Sequence, residues 1–297
     1  MLLSVALGSI EQGLVYGVMA LGVYLTFRIL DFPDLTVDGS FPLGAAITAK
    51  LIIDGVDPIV ATLAAVLFGA LAGSITGFLN TKLKITGLLS GILTMTALYS
   101  INLRIMGRAN IPLLNQETIL TKLDAISLNG EWQAGIFFLV IVLVIKFMVD
   151  WFLHTELGLA LRATGDNPQM IRSMGVNTDS MTILGLALSN GLVALSGSLV
   201  AQYQGFADVG MGIGMIIIGL ASVIIGEVIF SSRRIILATI SVIGGSLLYR
   251  LAITTALRLG FAPTDLKIVT AVLVITALSA PTIKEDFKLN FLSKGTS

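Results

Sequence analysis

The chain has 297 residues, 55% of them hydrophobic and 12% charged, with 18 basic and 18 acidic side chains, one histidine and no cysteine. Soluble domains carry about a quarter charged residues, so water is not the main solvent of this polypeptide. The even charge balance offers nothing to nucleic acid, and a lone His154 without cysteine excludes disulfides, cysteine nucleophiles and multi-histidine metal sites within the chain.

Apolar stretches near twenty residues recur from Leu2 to Ile283. Backbone groups in hydrocarbon must pair internally, which leaves helices or a closed barrel. Barrel strands alternate apolar and polar residues, whereas Ile136–Val149 and Ile213–Ile229 are apolar on every side. The sequence therefore predicts an all-α, polytopic helical bundle in the lipid bilayer. About nine spans are expected by the twenty-residue criterion, at 5–27, 39–53, 58–79, 86–106, 133–153, 181–203, 211–230, 235–257 and 266–283. No linker separates two folding units, so 1–297 reads as a single membrane domain.

Met1–Ile10 lacks a basic leader and reads as running directly into the first span. That span carries Glu11, Tyr16 and Tyr24 beside Gly13 and Gly17, whose spacing allows a close helix approach. The second is short and begins beside Pro33 and Pro42, as helices that start inside a membrane do; Asp34 and Asp38 at its entry read as helix caps. On the fourth, Ser90, Thr94 and Asn102 share one side, and on the sixth Ser189, Asn190 and Ser196, with Gln202, repeat the pattern. Polar groups inside a span face protein or a water-filled path, so Ser90, Thr94, Asn102, Ser189, Asn190 and Ser196 are candidates for a solute path, with helix packing as the alternative and Asn190 foremost. Glu227 is expected to pair at the membrane surface with Arg233 and Arg234, and His154 to be interfacial. The glycines Gly210, Gly212 and Gly214 read as a close-packing segment, since a nucleotide loop would need Gly-x-x-x-x-Gly-Lys-Ser/Thr, which the chain lacks.

Lysines and arginines mark the cytoplasmic side. Arg28, Lys82, Lys84, Lys146, Arg162, Arg172, Arg233, Arg234, Lys284, Lys288 and Lys294 fall on one side, against Lys50, Arg104, Arg108, Lys122, Arg250, Arg258 and Lys267 on the other. The bias puts the N-terminus outside, the C-terminus inside, and 107–132 outside. It also makes the segment 155–180, TELGLALRATGDNPQMIRSMGVNTDS, cytoplasmic. There Asn167 suits an N-cap, Pro168 a first helical position and Gly175 a left-handed terminus. The spacing predicts a helix of about two turns with Met170, Ile171 and Met174 on an apolar face and Arg172 pointing elsewhere. Such a face suits docking onto another protein, or resting on the membrane surface.

The segment TELGLALRATGDNPQMIRSMGV resembles the coupling region of the ribose and branched-chain amino acid family of ABC permeases. That region has a threonine, a Leu-Gly step, an Ala-x-Gly-x-Asn-Pro-like stretch and a terminal Gly-Val or Gly-Ile. LTVDGSFPLG at Leu35–Gly44 and the glycine-rich Gly210–Gly226 extend the likeness along the chain, while PDLTVDGS and GLASVIIGE are similar to a branch associated with aromatic amino acid uptake. Ile225-Gly226-Glu227 departs from the Leu-Gly-Gly of the sugar permeases. The resemblance implies a type II-like importer permease in a bacterial plasma membrane, working as a dimer with a second permease copy. It also implies an extracytoplasmic substrate-binding protein or lipoprotein, and an ABC ATPase subunit whose cleft receives the helix at 167–175. No cofactor is expected in this chain, ATP being bound by the partner. A secondary transporter or channel is the competing class, and one that would not need a docking helix; an enzyme would need clustered acid, base or metal groups that the sequence does not supply.

Overall fold

A computed structural model describes residues 2–124, 132–230, 234–262, 265–277 and 279. Eleven α-helices and two short strands follow one another: α1 (Leu2–Tyr24), α2 (Val37–Ile53), α3 (Pro58–Thr81), α4 (Gly87–Met106), β1 (Asn110–Pro112), α5 (Ile119–Asp124), α6 (Gln133–His154), α7 (Glu156–Asp166), α8 (Pro168–Ser173), α9 (Thr178–Gln204), β2 (Phe206–Asp208), α10 (Met215–Phe230) and α11 (Ile235–Arg258). A shorter apolar helix, α12, covers Leu266–Ala277. Among the described residues seven helical segments are long and apolar enough to cross a membrane, against the nine expected. The other two predicted spans correspond to α2 and α12: α2 has 17 residues, about 25 Å of helix, and the end of the ninth predicted span lies outside the described residues.

α2 is short because it is enclosed by protein. Phe41, Ala45, Ala46 and Ala49 have no exposed surface, and the helix packs against α3, α4 and α9. The chain reaches it through a π-helical turn at Leu25–Ile29 and an irregular segment before Val37; irregular backbone of this kind is tolerated in a bundle where protein surrounds it.

α9 is the hub, and small residues let its neighbours approach. On α3, Gly69, Gly73 and Gly77 form a stripe facing α9, and a Cβ on Gly73 would lie 2.1 Å from the Leu186 carbonyl oxygen. With no hydrophobic drive between helices in lipid, such close contact supplies the packing energy. The Gly13–Gly17 face of α1 meets α11 as its spacing predicted, with Ser246 Oγ donating to the Gly13 carbonyl at 2.9 Å.

The two ends of the bundle differ. At one end β1 pairs antiparallel with β2, Ile111 opposite Ala207. There Lys122 on α5 holds Asp57, at the α2–α3 turn, in an ion pair that keeps the Asp57 carboxyl below the usual carboxylate range. The other end gathers the end of α1, the α3–α4 turn and α7–α8, tied by Lys82–Asp179 at 3.1 Å and Arg28–Glu227 at 2.9 Å. Glu227 pairs with Arg28 of the π turn; of the partners expected for it, Arg233, like Lys284, Lys288 and Lys294, lies outside the described residues.

Candidate functional site

α7 and α8 form the polar connection between α6 and α9. Thr155 caps α7 by accepting from Gly158 N at 3.3 Å. The sequence breaks the helix at Asn167, which is extended at φ −152° and ψ 89° and accepts from Met170 N at 3.0 Å, and Pro168 opens α8. Gly175, at φ +88°, ends the turn in the left-handed region that favours glycine. All three positions behave as their residue types predict.

The apolar face divides. Met170 and Met174 are 55% and 68% exposed, whereas Ile171 is 8% exposed and turned into the protein. Ile171 therefore anchors α8 and does not share the outward face assigned to it: on so short a helix, adjacent residues point about 100° apart. Arg172 does point elsewhere, its Nε donating to Thr178 Oγ1 at 2.5 Å and its guanidinium meeting Asp179 at 3.3 Å, so α8 is strapped to the first turn of α9. Behind it, α7 lies against the end of α1. Gly165 faces the Ile29 carbonyl, and a polar cavity of about 720 Å³ opens between Arg28, Asp31, Arg162 and Asp166.

In the centre of the bundle the structure joins residues that the sequence kept apart. Asn190 Nδ2 donates to Asp34 Oδ2 at 2.7 Å and to the Leu186 carbonyl at 3.0 Å, while its Oδ1 accepts from Ser40 Oγ at 2.7 Å. Asp34 Oδ1 accepts from Thr36 N at 2.9 Å, and Thr36 continues through Thr76 to Thr94 by hydroxyl bonds of 2.7 and 2.9 Å. Ser90 bonds the Ile85 carbonyl. Ser189 and Ser196 donate to the Gly22 and Val15 carbonyls of α1 at 2.7 and 2.8 Å. Ser90 thus spends its hydroxyl on the turn before its own helix, and Thr94, Ser189, Asn190 and Ser196 spend polar atoms on neighbouring elements of the bundle in this conformation. The reason is physical: a hydroxyl or amide in a span must find a partner, and the neighbouring helix is nearest.

Asn102 differs. Its Nδ2 donates to the Gly39 carbonyl at 3.2 Å, but its Oδ1, fully buried, has no partner. It lines a cavity of about 370 Å³ between the start of α2, the C-terminal half of α4 and the turn before α10, with Asp38, Met95, Tyr99 and Ile213 among the walls. Asp38 was expected to cap the helix it opens; it caps α10 instead, Oδ2 accepting from Gly214 N at 2.9 Å and Oδ1 from Ile216 N at 2.8 Å. A carboxylate aimed across the bundle in this way fixes the turn that forms the cavity wall.

Sequence reasoning missed an ion pair within α6. Lys146 and Asp150 are both buried and paired, and Thr239 Oγ1 donates to Asp150 Oδ1 at 2.7 Å. Lys146 thus belongs to the interior, not to the interfacial charges counted for orientation; the i, i+4 spacing with Asp150 was the available signal. His154, at the end of α6, places Nδ1 2.6 Å from the Asp150 carbonyl. Among the described residues no three His, Cys, Asp or Glu side chains group as metal ligands would.

The family described as branched-chain amino acid transport system / permease component matches residues 5–278. The tyrosine transport system permease protein of Clostridioides difficile (strain R20291) is 48% identical over 277 residues, covering 93% of this chain and 91% of that protein. The autoinducer 2 import system permease protein of Escherichia coli (strain K12 / DH10B) is 31% identical over 195 residues, 66% of this chain and 56% of its own length. A solved transporter of the metal-chelate ABC type, in an inward-facing conformation, superposes with a TM-score of 0.53 at 17% identity, covering 95% of this chain and 85% of that one; at this distance the likeness speaks for the fold. Relatives of this kind are transport permeases and not enzymes. With a family match across nearly its whole length and a relative sharing almost half its residues, the chain is a multi-pass membrane protein that belongs to the permease components of branched-chain amino acid transport systems, the permeases of ABC importers.

Proposed function

We propose that this permease carries an amino acid, aromatic by preference, into a bacterial cell through the plasma membrane by alternating access, driven by a separate ATPase. The 48% identity to a tyrosine transport permease carries the assignment of solute. ATP is bound and hydrolysed by the partner chain, and the whole of this chain works as one membrane domain, paired with a second copy around a shared path.

The end of the bundle that holds α8 is the cytoplasmic one, which puts the N-terminus outside; Arg28, Lys82, Arg162 and Arg172 gather there, in keeping with the positive-inside bias. Met170 and Met174 enter the cleft of the ATPase, and a flexible, exposed thioether pair suits that contact. A push on α8 passes along two rigid connections. Arg172 and Asp179 carry it into α9, and Gly165 against Ile29 carries it into α1. Because α9 is bonded to α1 through Ser189 and Ser196 and to the α2 entry through Asn190, movement at α8 reaches the helices around the cavity at Asn102. At the opposite end, the β1–β2 pair and α5 form the face to which a binding protein delivers solute.

The test is reconstitution of the permease with its ATPase and binding protein in liposomes, following radiolabelled L-tyrosine. ATP-dependent accumulation is the expected result. Accumulation by the permease alone, without the ATPase, would overturn the assignment and point to a secondary transporter.

A further inference from the structure

Met95, Tyr99 and Asn102 stand at i, i+4 and i+7 on α4, one face of the helix, and this face looks onto the start of α2. The amide of Asn102 cannot be turned round there, because a carbonyl only accepts and the group facing the Gly39 oxygen must be the NH2. Its Oδ1 is therefore held as an acceptor, buried and without a donor, in a residue that lines the cavity. Every other amide among the candidate path residues is satisfied; Asn190 has three bonds. Buried polar atoms are normally paired, and one left open beside a cavity marks a place where a ligand supplies the missing group. The Asp38 carboxylate on the same wall adds negative charge, and Tyr99, Met95 and Ile213 supply an aromatic ring, a thioether and a branched apolar side chain.

We infer that this cavity is a solute subsite in which Asn102 Oδ1 accepts a hydrogen bond from the α-ammonium group of an amino acid whose aromatic side chain rests against Tyr99, Met95 and Ile213. The volume, about 370 Å³, lies in the range of small-molecule pockets. Asn102 is then a specificity-determining residue for the ammonium end of the solute, and Tyr99 for the ring end. This assignment rests on the reading of the chain as an amino acid permease.

The absence of cysteine makes the native chain a clean background for single-cysteine labelling. Thr96→Cys places a thiol on the cavity wall without touching Asn102, and Leu114→Cys, exposed in the loop after β1, serves as the comparison. In the assembled permease–ATPase complex with its binding protein, a water-soluble thiosulfonate is expected to modify both thiols, and L-tyrosine to slow the reaction of Thr96→Cys while leaving that of Leu114→Cys unchanged. Adding Asn102→Leu should weaken the protection by about tenfold in tyrosine concentration, the loss expected of one charge-assisted hydrogen bond. The des-amino analogue 3-(4-hydroxyphenyl)propionate should protect poorly in the native background, and the difference between the two compounds should shrink with Asn102→Leu. A thiol at position 96 that water-borne reagent never reaches, or that reacts at the same rate with and without tyrosine while wild-type uptake is intact, would overturn the subsite alone. Failure of the wild-type complex to accumulate tyrosine would overturn the functional reading and the subsite with it.

Discussion

Gly165 of α7 lies so close to Ile29 at the end of α1 that a Cβ at position 165 would sit 2.0 Å from the Ile29 carbonyl oxygen. The contact is backbone on backbone, and it couples the polar connection to a membrane helix with nothing soft between them. Gly165→Val must push α7 and α1 apart. The expected outcome is a complex that still binds ATPase through Met170 and Met174 but whose tyrosine uptake per ATP hydrolysed falls, by about tenfold if the lost contact is worth the ~1.4 kcal/mol of one decade. Parallel measurement of hydrolysis and uptake checks it; an unchanged ratio would remove Gly165 from the transmission path.

The split face of α8 lets the proposed docking be tested apart from folding. Met170→Asp and Met174→Asp change exposed positions and are expected to abolish co-purification of the ATPase while leaving thermal stability within about 0.5 kcal/mol of wild type, as surface changes do. Ile171→Asp puts a carboxylate where an apolar side chain is buried, and is expected to cost about 2–4 kcal/mol and to lower the melting temperature of the permease itself. Equal effects of the three changes on stability would contradict the division.

Asn190 holds the entry of α2 against α9. Asn190→Leu leaves Asp34 Oδ2 and the Ser40 hydroxyl without a partner in the bundle interior. A loss of about 2–4 kcal/mol follows from the desolvation of the orphaned groups. Asp34→Asn combined with Asn190→Leu replaces the orphaned acid by an amide and should recover part of it. Thermal melts in detergent with a double-mutant comparison give the coupling energy, and strictly additive losses would mean that the two side chains act independently.

The buried pair on α6 makes an opposite kind of statement. Lys146→Met alone strands the Asp150 carboxylate and is expected to cost about 3–5 kcal/mol, while Lys146→Met with Asp150→Leu removes both charges and should come out near wild type. A double variant as unstable as the single one would show that Thr239 Oγ1, which donates to Asp150, needs the carboxylate for more than charge balance.

Much of the architecture was legible in the residue order. The long apolar runs of α3, α4, α6, α9 and α11 could be read to within a few residues because length and hydropathy are local properties. The caps of α8 were equally local, since Asn167, Pro168 and Gly175 act within one or two turns of their own position. Other features required the fold. The approach of Glu227 to Arg28 spans the chain from α10 back to the end of α1, and no spacing rule links them. Asp34 and Asp38, four residues apart, read alike as caps of one helix, yet one tethers α9 and the other caps α10, because Asp34 lies in the segment before α2 and Asp38 in its first turn, and the two face different neighbours. Polarity within a span is the same for a hydroxyl bonded to the next helix as for one facing a cavity, so residue order alone does not separate Ser189 and Ser196 from Asn102.

The sequence by itself determined that this chain crosses a membrane as helices, that a capped polar element interrupts them between α6 and α9, and which residues begin and end that element. These follow from transfer free energy and backbone preference, each set within a window of a few residues. Only the tertiary structure decided that Ile171 faces inward while Met170 and Met174 face out, that Asn190 is spent on Asp34, and that Asn102, in the wall of a cavity, keeps a buried acceptor without a partner. Those outcomes depend on which helix stands opposite, and that is settled by close packing of glycine-lined surfaces brought together from distant parts of the chain.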